Sequence, residues 1–316
     1  MKWRKMGLVY QPNGAQAWSQ SHAQLPIVDT GEEDCWRIYF ATRDSENRAH
    51  IGFVEVEPER PQHILRTSGS PVLPFGPLGS FDESGLMPVC VVRHGGRIFL
   101  YYAGWSLRRT IPYHNSIGLA VSDDGGRSFD KIGAGPVFDL LPHEPYFTGT
   151  IDVRIEDGRW RAWYQSCTGW EMIDGRPEPF YHIKYAESAD GIRWERQGRI
   201  AIDYADRNEG GISSASVLRD SDIYRMWYSY RAAAGYRDNP ARSYRIGCAE
   251  SVDGLEWTRL DGEAGIDVSP EGWDSQMVAY PHVVRHGNAL YMFYNGNGFG
   301  RSGFGYAVAT MSMKEA

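Results

Sequence analysis

Trp36-Arg-Ile-Tyr-Phe-Ala-Thr42, Ile98-Phe-Leu-Tyr-Tyr-Ala-Gly104, Trp160-Arg-Ala-Trp-Tyr-Gln-Ser166, Tyr224-Arg-Met-Trp-Tyr-Ser-Tyr230 and Leu290-Tyr-Met-Phe-Tyr-Asn-Gly296 are versions of one segment. Each is a strand-like run with large residues on both faces, suited to a strand covered from two sides. A second segment follows each of them: Ile51-Gly-Phe-Val-Glu55, Ile117-Gly-Leu-Ala-Val121, Ile183-Lys-Tyr-Ala-Glu187, Ile246-Gly-Cys-Ala-Glu250 and Phe304-Gly-Tyr-Ala-Val308. These start 66, 66, 63 and 58 residues apart. Self-similarity at a nearly fixed period marks a repeat architecture.

Three copies share the turn that follows: Ser122-Asp-Asp-Gly-Gly-Arg-Ser-Phe129, Ser188-Ala-Asp-Gly-Ile-Arg-Trp194 and Ser251-Val-Asp-Gly-Leu-Glu-Trp257. Asp-Gly supplies the backbone a tight hairpin needs, and the aromatic begins another strand. The Asp recurs at a hairpin tip, so it reads as turn chemistry rather than catalysis. A unit of about 60 residues with four short antiparallel strands is a propeller blade, whose neighbours cover both faces. The expected fold is all-β: a five-bladed β-propeller with four-stranded antiparallel blades, one domain over residues 1–316, with no linker. Three irregular stretches follow second strands, Trp105 to Asn115, Thr168 to Phe180 and Arg231 to Ser243, and are expected to rim one face.

Composition agrees with this reading. The chain has 316 residues, 42% hydrophobic and 23% charged, with 11 Trp, 19 Tyr, 12 Phe, 36 Gly and 17 Pro. That is a globular, turn-rich, aromatic-rich chain. A formal net charge of −7 gains nothing from a phosphate backbone, so nucleic acid is not an expected partner. No apolar run approaches the roughly 20 residues of a membrane span, and Met1 to Tyr10 lacks a signal-peptide core. Cys35, Cys90, Cys167 and Cys248 are widely spaced without a CxxC pair, which reads as inert thiols in a reducing, cytoplasmic setting.

In such a ring the first strand of each blade faces the axis. The candidates are Ser21–Val28, Ser84–Val92, Thr148–Ile155, Ile212–Leu218 and Met277–Val284. Polar residues on or just before them are His22, Gln24, Asp82, Glu83, Asp152, Arg154, Glu209, Asp274 and His282. Gly-rich Gly296–Gly303 lies between two strands and reads as a hairpin loop, not a nucleotide site.

Thr150-Ile-Asp152-Val-Arg-Ile-Glu-Asp-Gly158, Asn208-Glu209-Gly210-Gly211, Trp273-Asp274-Ser275 and its echo Phe81-Asp82-Glu83-Ser84 resemble segments of the propeller glycoside hydrolases. That group comprises the arabinanase and xylosidase family with its invertase and levansucrase relatives. The resemblance implies a glycosidase-like enzyme working by carboxylate acid–base catalysis at the channel mouth. Glu209 would be the acid and Asp152 a substrate-orienting carboxylate. The family's first-blade Asp is missing, since Gln24-Leu25-Pro26 stands there, so Asp82 or Glu83 would take the base or nucleophile role. Asp274, His22, Gln24, Arg43, Arg154 and His282 would contact substrate, and Trp18, Trp105 and Trp170 are stacking platforms for sugar rings. Arg43, Arg154 and Arg231 are candidates to pair with acids or to bind an anionic sugar group.

Each assignment has a structural alternative. Asp152 would accept from a neighbouring blade's amides, Glu209 would sit in a loop beside Arg207, Asp82 and Asp274 would cap turns, and the histidines and tryptophans would be core. Two other functions therefore stand beside hydrolysis: a catalytically silent carbohydrate-binding propeller, and a phosphorylase- or lyase-type sugar enzyme. The expected partner is a carbohydrate. No cofactor is expected; some such propellers hold a channel cation, but no ligand spacing here supports one.

Overall fold

The computed structural model describes residues 1–310. Nearly every element is a strand, and antiparallel ladders divide the chain into successive meanders. After β1 (Arg4–Tyr10), the first meander runs β2 (Ser21–Asp29), β3 (Trp36–Arg43), β4 (Ala49–Glu57) and β5 (Arg60–Thr67). The second is β6 (Gly85–His94), β7 (Arg97–Leu107), β8 (Tyr113–Ser122) and β9 (Asp130–Lys131). The third is β10 (Thr148–Glu156), β11 (Arg159–Ile173) and β12 (Arg176–Ser188), edged by β13 (Trp194–Glu195) and β14 (Ile200–Ile202). Next come β15 (Glu209–Asp220), β16 (Ile223–Ala232), β17 (Arg245–Ser251) and β18 (Thr258–Arg259). The last is β19 (Ala279–His286), β20 (Ala289–Asn295) and β21 (Phe304–Thr310), with the short α1 (Asn297–Gly300) before β21. Its outer edge is β1, paired antiparallel with β21, so the start of the chain completes the final sheet.

The first strands touch in the order β2, β6, β10, β15, β19 and back to β2, which closes a ring. Between neighbouring meanders lie the apolar clusters. One joins Cys90, Tyr101 and Leu119 to Ile151, Trp160 and Tyr164; another joins Trp36, Ile38 and Phe40 to Phe293 and Tyr306. Both faces of the aromatic second strands are buried this way.

Three repeated ties lock the ring, and each uses residues from the sequence repeat. Cys90, Asp152, Ser216 and His282 hold the same ladder position, opposite Tyr101, Trp163, Trp227 and Phe293. The Val153 amide donates to Cys90 Sγ at 3.3 Å, the Val217 amide to Asp152 Oδ2 at 2.9 Å and the Val283 amide to Ser216 Oγ at 2.8 Å. A second tie joins second-strand rings to the next meander's turn: Tyr39 OH donates to the Gly126 carbonyl, Tyr101 OH to Gly191 and Trp163 Nε1 to Gly254, at 2.7, 2.7 and 2.9 Å. Gly191 is obligatory there: its φ is +73°, and a Cβ would lie 2.8 Å from the Tyr101 hydroxyl. The turn aspartates act locally; Asp190 Oδ1 accepts from the Ile192 and Arg193 amides, both at 2.8 Å.

The third tie is a buried or half-buried carboxylate that accepts from the second-strand Tyr and pairs with a base near the outer edge. Asp82 accepts from Tyr102 OH at 3.1 Å and Lys131 Nζ at 2.6 Å. Glu144 accepts from Tyr164 OH at 2.8 Å and pairs with Lys184 and Arg196. Asp261 accepts from Tyr228 OH and pairs with Arg259 at 2.6 Å. Asp274 accepts from Tyr294 OH at 2.9 Å and from Lys5 Nζ, on β1, at 2.6 Å.

Some local expectations need correcting. Thr168 to Phe180 is not an irregular loop: Trp170↔Pro179 through Ile173↔Arg176 extend the β11–β12 ladder into a projecting hairpin, and Trp105 to Asn115 is likewise largely a hairpin, paired from Trp105↔Asn115 to Leu107↔Tyr113. The first inner strand, expected over Ser21–Val28, runs one residue further to Asp29, which is buried against Arg93 at 2.7 Å.

Candidate functional site

A cleft of about 530 Å³ opens on the ring axis. Every first strand contributes near its beginning: His22, Gln24 and Leu25 from β2, Met87 from β6, Gly149 and Thr150 from β10, Ser213 from β15 and Tyr280 from β19. The cleft therefore sits at one mouth of the ring. Second strands add Arg43, Trp105 and Gln165. The 105–115 and 231–243 stretches add Tyr113, Asn115, Tyr236 and Arg237, and α1 adds Phe299.

The first strands are irregular where they meet the cleft. Ladder shifts lie between Ser21 and Gln24, Thr148 and Ile151, Ser213 and Ser216, and Ala279 and His282. Four non-glycine residues there take left-handed backbone: His22 (φ 63°), Leu25 (54°), Ser214 (54°) and Tyr280 (56°). Such conformations cost about 1–3 kcal/mol each and persist only where the surroundings impose them. Here neighbouring meanders do so. The Tyr280 amide donates to Ser229 Oγ, the Leu25 amide to Asn295 Oδ1 and the Ser214 amide to Thr150 Oγ1. Bulges of this kind re-aim side chains, and here they turn them to the mouth.

Of the residues read from the sequence, His22, Gln24, Arg43 and Trp105 line the cleft. None of the five carboxylates does. Asp82 and Asp274 are the repeated Tyr–base ties, 1% and 2% exposed. Asp152 pairs with Arg154 at 3.2 Å and accepts from Val217 within the ring tie; burial pushes its carboxyl up, against the pull of Arg154 and that amide. Glu209 is held by both Arg259 Nη atoms at 2.7 and 2.8 Å and accepts from the Ala205 amide. Glu83 accepts from the Gly79 amide in a surface turn. These carboxylates are thus engaged by bases and amides of the scaffold.

The remaining candidates also lie off the lining. Arg154 is committed to Asp152, and His282 is buried, with burial and Arg154 together lowering its pKa to about 3. Trp18 packs on His50 and Gly52. Trp170 stands one layer back, against Tyr113 and Phe147. Arg231 is 1% exposed beneath the cleft floor, its guanidinium 3.8 Å from the Tyr236 ring centre.

The cleft's own chemistry is phenolic, amide and cationic. His22 Nδ1 meets Ser21 Oγ at 2.9 Å; burial, then the charges of Arg43 and Arg301, bring its pKa down to about 4, so the ring is neutral near pH 7. Burial raises the phenols of Tyr113, Tyr236, Tyr244 and Tyr280, which stay protonated. Behind Tyr236 lies Glu178, which accepts from its hydroxyl at 2.5 Å and pairs with Arg237 at 3.1 Å. Burial alone would raise Glu178, but the bonds from Arg237 and Tyr236 win and lower it. Tyr113, Gln165, Tyr236, Arg237 and Tyr280 were not singled out from sequence. None of these five falls in the slot one position past the second-strand copies, where the repeat departs from itself as Arg43, Trp105, Cys167, Arg231 and Asn297.

No family model matches the chain. It is 41% identical over 308 residues to "Uncharacterized protein Rv1502" of Mycobacterium tuberculosis (strain ATCC 25618 / H37Rv), covering 98% of this chain and 99% of the relative. Among solved structures, a thermostable family-43 glycoside hydrolase superposes with a TM-score of 0.69 at 17% identity, over 97% of this chain and 94% of that one. A structure from the GH130 family of mannoside phosphorylases, which contains glycoside hydrolases that target beta-1,2 mannosidic linkages in Candida mannan, superposes with a TM-score of 0.72 at 15% identity, over 99% and 95%. The chain belongs to the family of the mycobacterial protein, and its fold is similar to that of these glycoside hydrolase structures.

Proposed function

We propose that the chain is one five-bladed β-propeller domain whose axial cleft binds and processes a carbohydrate. The closed succession of first strands supports the blade count. The observation that carries the sugar reading is the lining. Trp105, Tyr113, Phe147 and Phe299 offer ring faces for the apolar CH side of a sugar. Gln24, Asn47, Asn115 and Gln165 offer amides, which donate and accept as hydroxyls require. The volume falls in the range of small-molecule sites, roughly 300–1,000 Å³.

Hydrolysis by a carboxylate pair needs the two groups about 5–5.5 Å apart for retention or about 6.5–9.5 Å for inversion, across the scissile bond. Among the described residues this lining offers no carboxylate, and Glu178 stands behind Tyr236 and Arg237. The groups within reach for proton transfer are neutral His22 and the protonated phenols, which favours a sugar enzyme of other chemistry, or a pure binder, over a two-carboxylate hydrolase.

Calorimetric titration of the full chain with oligosaccharides, paired with a glycosidase screen, tests this. Trp105→Ala should weaken sugar binding about tenfold, equivalent to about 1.4 kcal/mol. If Glu209→Gln instead loses several powers of ten in turnover while still binding sugar, the chemistry returns to the carboxylates.

A further inference from the structure

The charges around the cleft run against those of the chain as a whole, which carries a net −7. Arg43 lines the cleft, and its guanidinium meets only neutral acceptors: Nε and Nη2 donate to Gln24 Oε1 at 3.2 and 3.1 Å, and Nη1 to Asn47 Oδ1 at 2.8 Å. Among the described residues its hydrogen-bond partners include no carboxylate, and burial lowers its pKa while the Tyr280 phenol opposes that shift. A guanidinium has five N–H donors. Three are used, so one hydrogen on each Nη is left. Arg231, under the floor, likewise donates only to neutral acceptors, Tyr181 OH and the Pro179 and Ala232 carbonyls, although its charge is felt by the Glu178 carboxylate. Arg237 also lines the cleft, paired with Glu178, and Arg301 is near enough to lower the pKa of the lining His22. His22, between Arg43 and Arg301, adds no charge because its imidazole is neutral.

A desolvated cation without a counter-charge is unfavourable, and neutral acceptors offset only part of the cost. A neutral sugar would leave that imbalance in place, whereas an anion would cancel it and gain charge-assisted, two-point hydrogen bonds. We propose that the ligand is an acidic sugar, whose carboxylate or phosphate oxygens are held by the two free Nη hydrogens of Arg43 while its ring lies among Trp105, Gln165 and Tyr280. This rests on the carbohydrate reading of the cleft and narrows it to a substrate class.

Four probes titrated calorimetrically into the full chain test the proposal: a uronic acid oligosaccharide, the neutral oligosaccharide of matching linkage, a sugar phosphate, and inorganic phosphate alone. An acidic sugar should bind at least about tenfold tighter than the neutral one, and added salt should narrow the gap. Arg43→Gln should bring the acidic-to-neutral ratio to about one. Arg43→Lys, which keeps the charge but loses the fork, should give an intermediate ratio, and thermal melting checks that both variants fold. Which of the uronate and sugar phosphate binds tighter identifies the anionic group. If neutral and acidic sugars bind alike and Arg43→Gln changes nothing, the inference fails while the sugar site stands. If inorganic phosphate alone takes the Arg43-dependent site and no acidic sugar is preferred, the anion is a free ion and the inference fails. If no sugar binds at all, the carbohydrate reading fails and this proposal with it.

Discussion

The repeated carboxylates and the axial cleft are built by opposite rules. Asp82, Glu144, Asp261 and Asp274 do one job in successive meanders, each meeting a second-strand tyrosine and a base near the sheet edge. The cleft takes side chains from positions where the meanders disagree: of the slot filled by Arg43, Trp105, Cys167, Arg231 and Asn297, Arg43 and Trp105 reach the lining. Periodic residues serve the ring and aperiodic ones serve its mouth. An acid that recurs with the period is evidence of architecture, whatever its resemblance to a catalytic group.

The strongest way to break this division is Asp82→Ala. It strands Lys131 and the Tyr102 hydroxyl in a buried site, and should cost about 3–5 kcal/mol in urea denaturation while leaving ligand affinity of the folded protein unchanged. A stable variant that no longer binds ligand would reverse the two roles.

Acid titration probes the ring through His282. Its folded pKa is about 3 against about 6.5 unfolded. The unfolded chain therefore binds the proton first, and stability is lost as pH falls from about 6.5 toward 3, by up to roughly 4 kcal/mol, and is fully present above that window. His22, lowered to about 4, acts in the same direction but more weakly because it is partly exposed. His282→Gln should flatten the slope between pH 6 and about 4, as measured by melting temperature; an unchanged slope would assign the acid sensitivity elsewhere.

A smaller effect tests the turn clamps. Tyr101→Phe removes one buried bond to the Gly191 carbonyl and should cost about 1 kcal/mol, again by denaturation. The smallest expected change sharpens the comparison most. Glu209→Gln should alter affinity for the cleft ligand by less than about twofold, because Glu209 is joined to Arg259 and the 205 amide rather than to the cleft.

Most of the architecture was legible because periodicity is a strong signal: five aromatic segments at one spacing specify meanders covered on both faces. The pairing of β1 with β21 was not, because it joins residues at opposite ends of the chain and no local pattern announces it. In the site, His22 and Gln24 were found from their place on the first strand, and Arg43 and Trp105, which lie on second strands, from their chemistry as an anion-binding group and a stacking platform. Asp82, Glu209 and Asp274 were drawn in by motifs that the ring itself uses. Tyr236 and Arg237 come from an irregular segment whose course is set by tertiary contacts, namely the bonds of both residues to Glu178. Tyr280 reaches the mouth through a left-handed residue that propensity would not place in a strand.

The β1–β21 ladder has a kinetic corollary. Its partners, such as Arg4 and Val308, are about 300 residues apart. At roughly 5–20 residues per second, ribosomal synthesis leaves the earlier strand waiting on the order of 15–60 s for its mate. Through that interval the segment must avoid foreign edges, and the positive charges of Arg4 and Lys5 are the kind of feature that discourages such pairing. Lys5 then finds Asp274 when the sheet is completed, so one residue guards the nascent chain and fastens the finished ring.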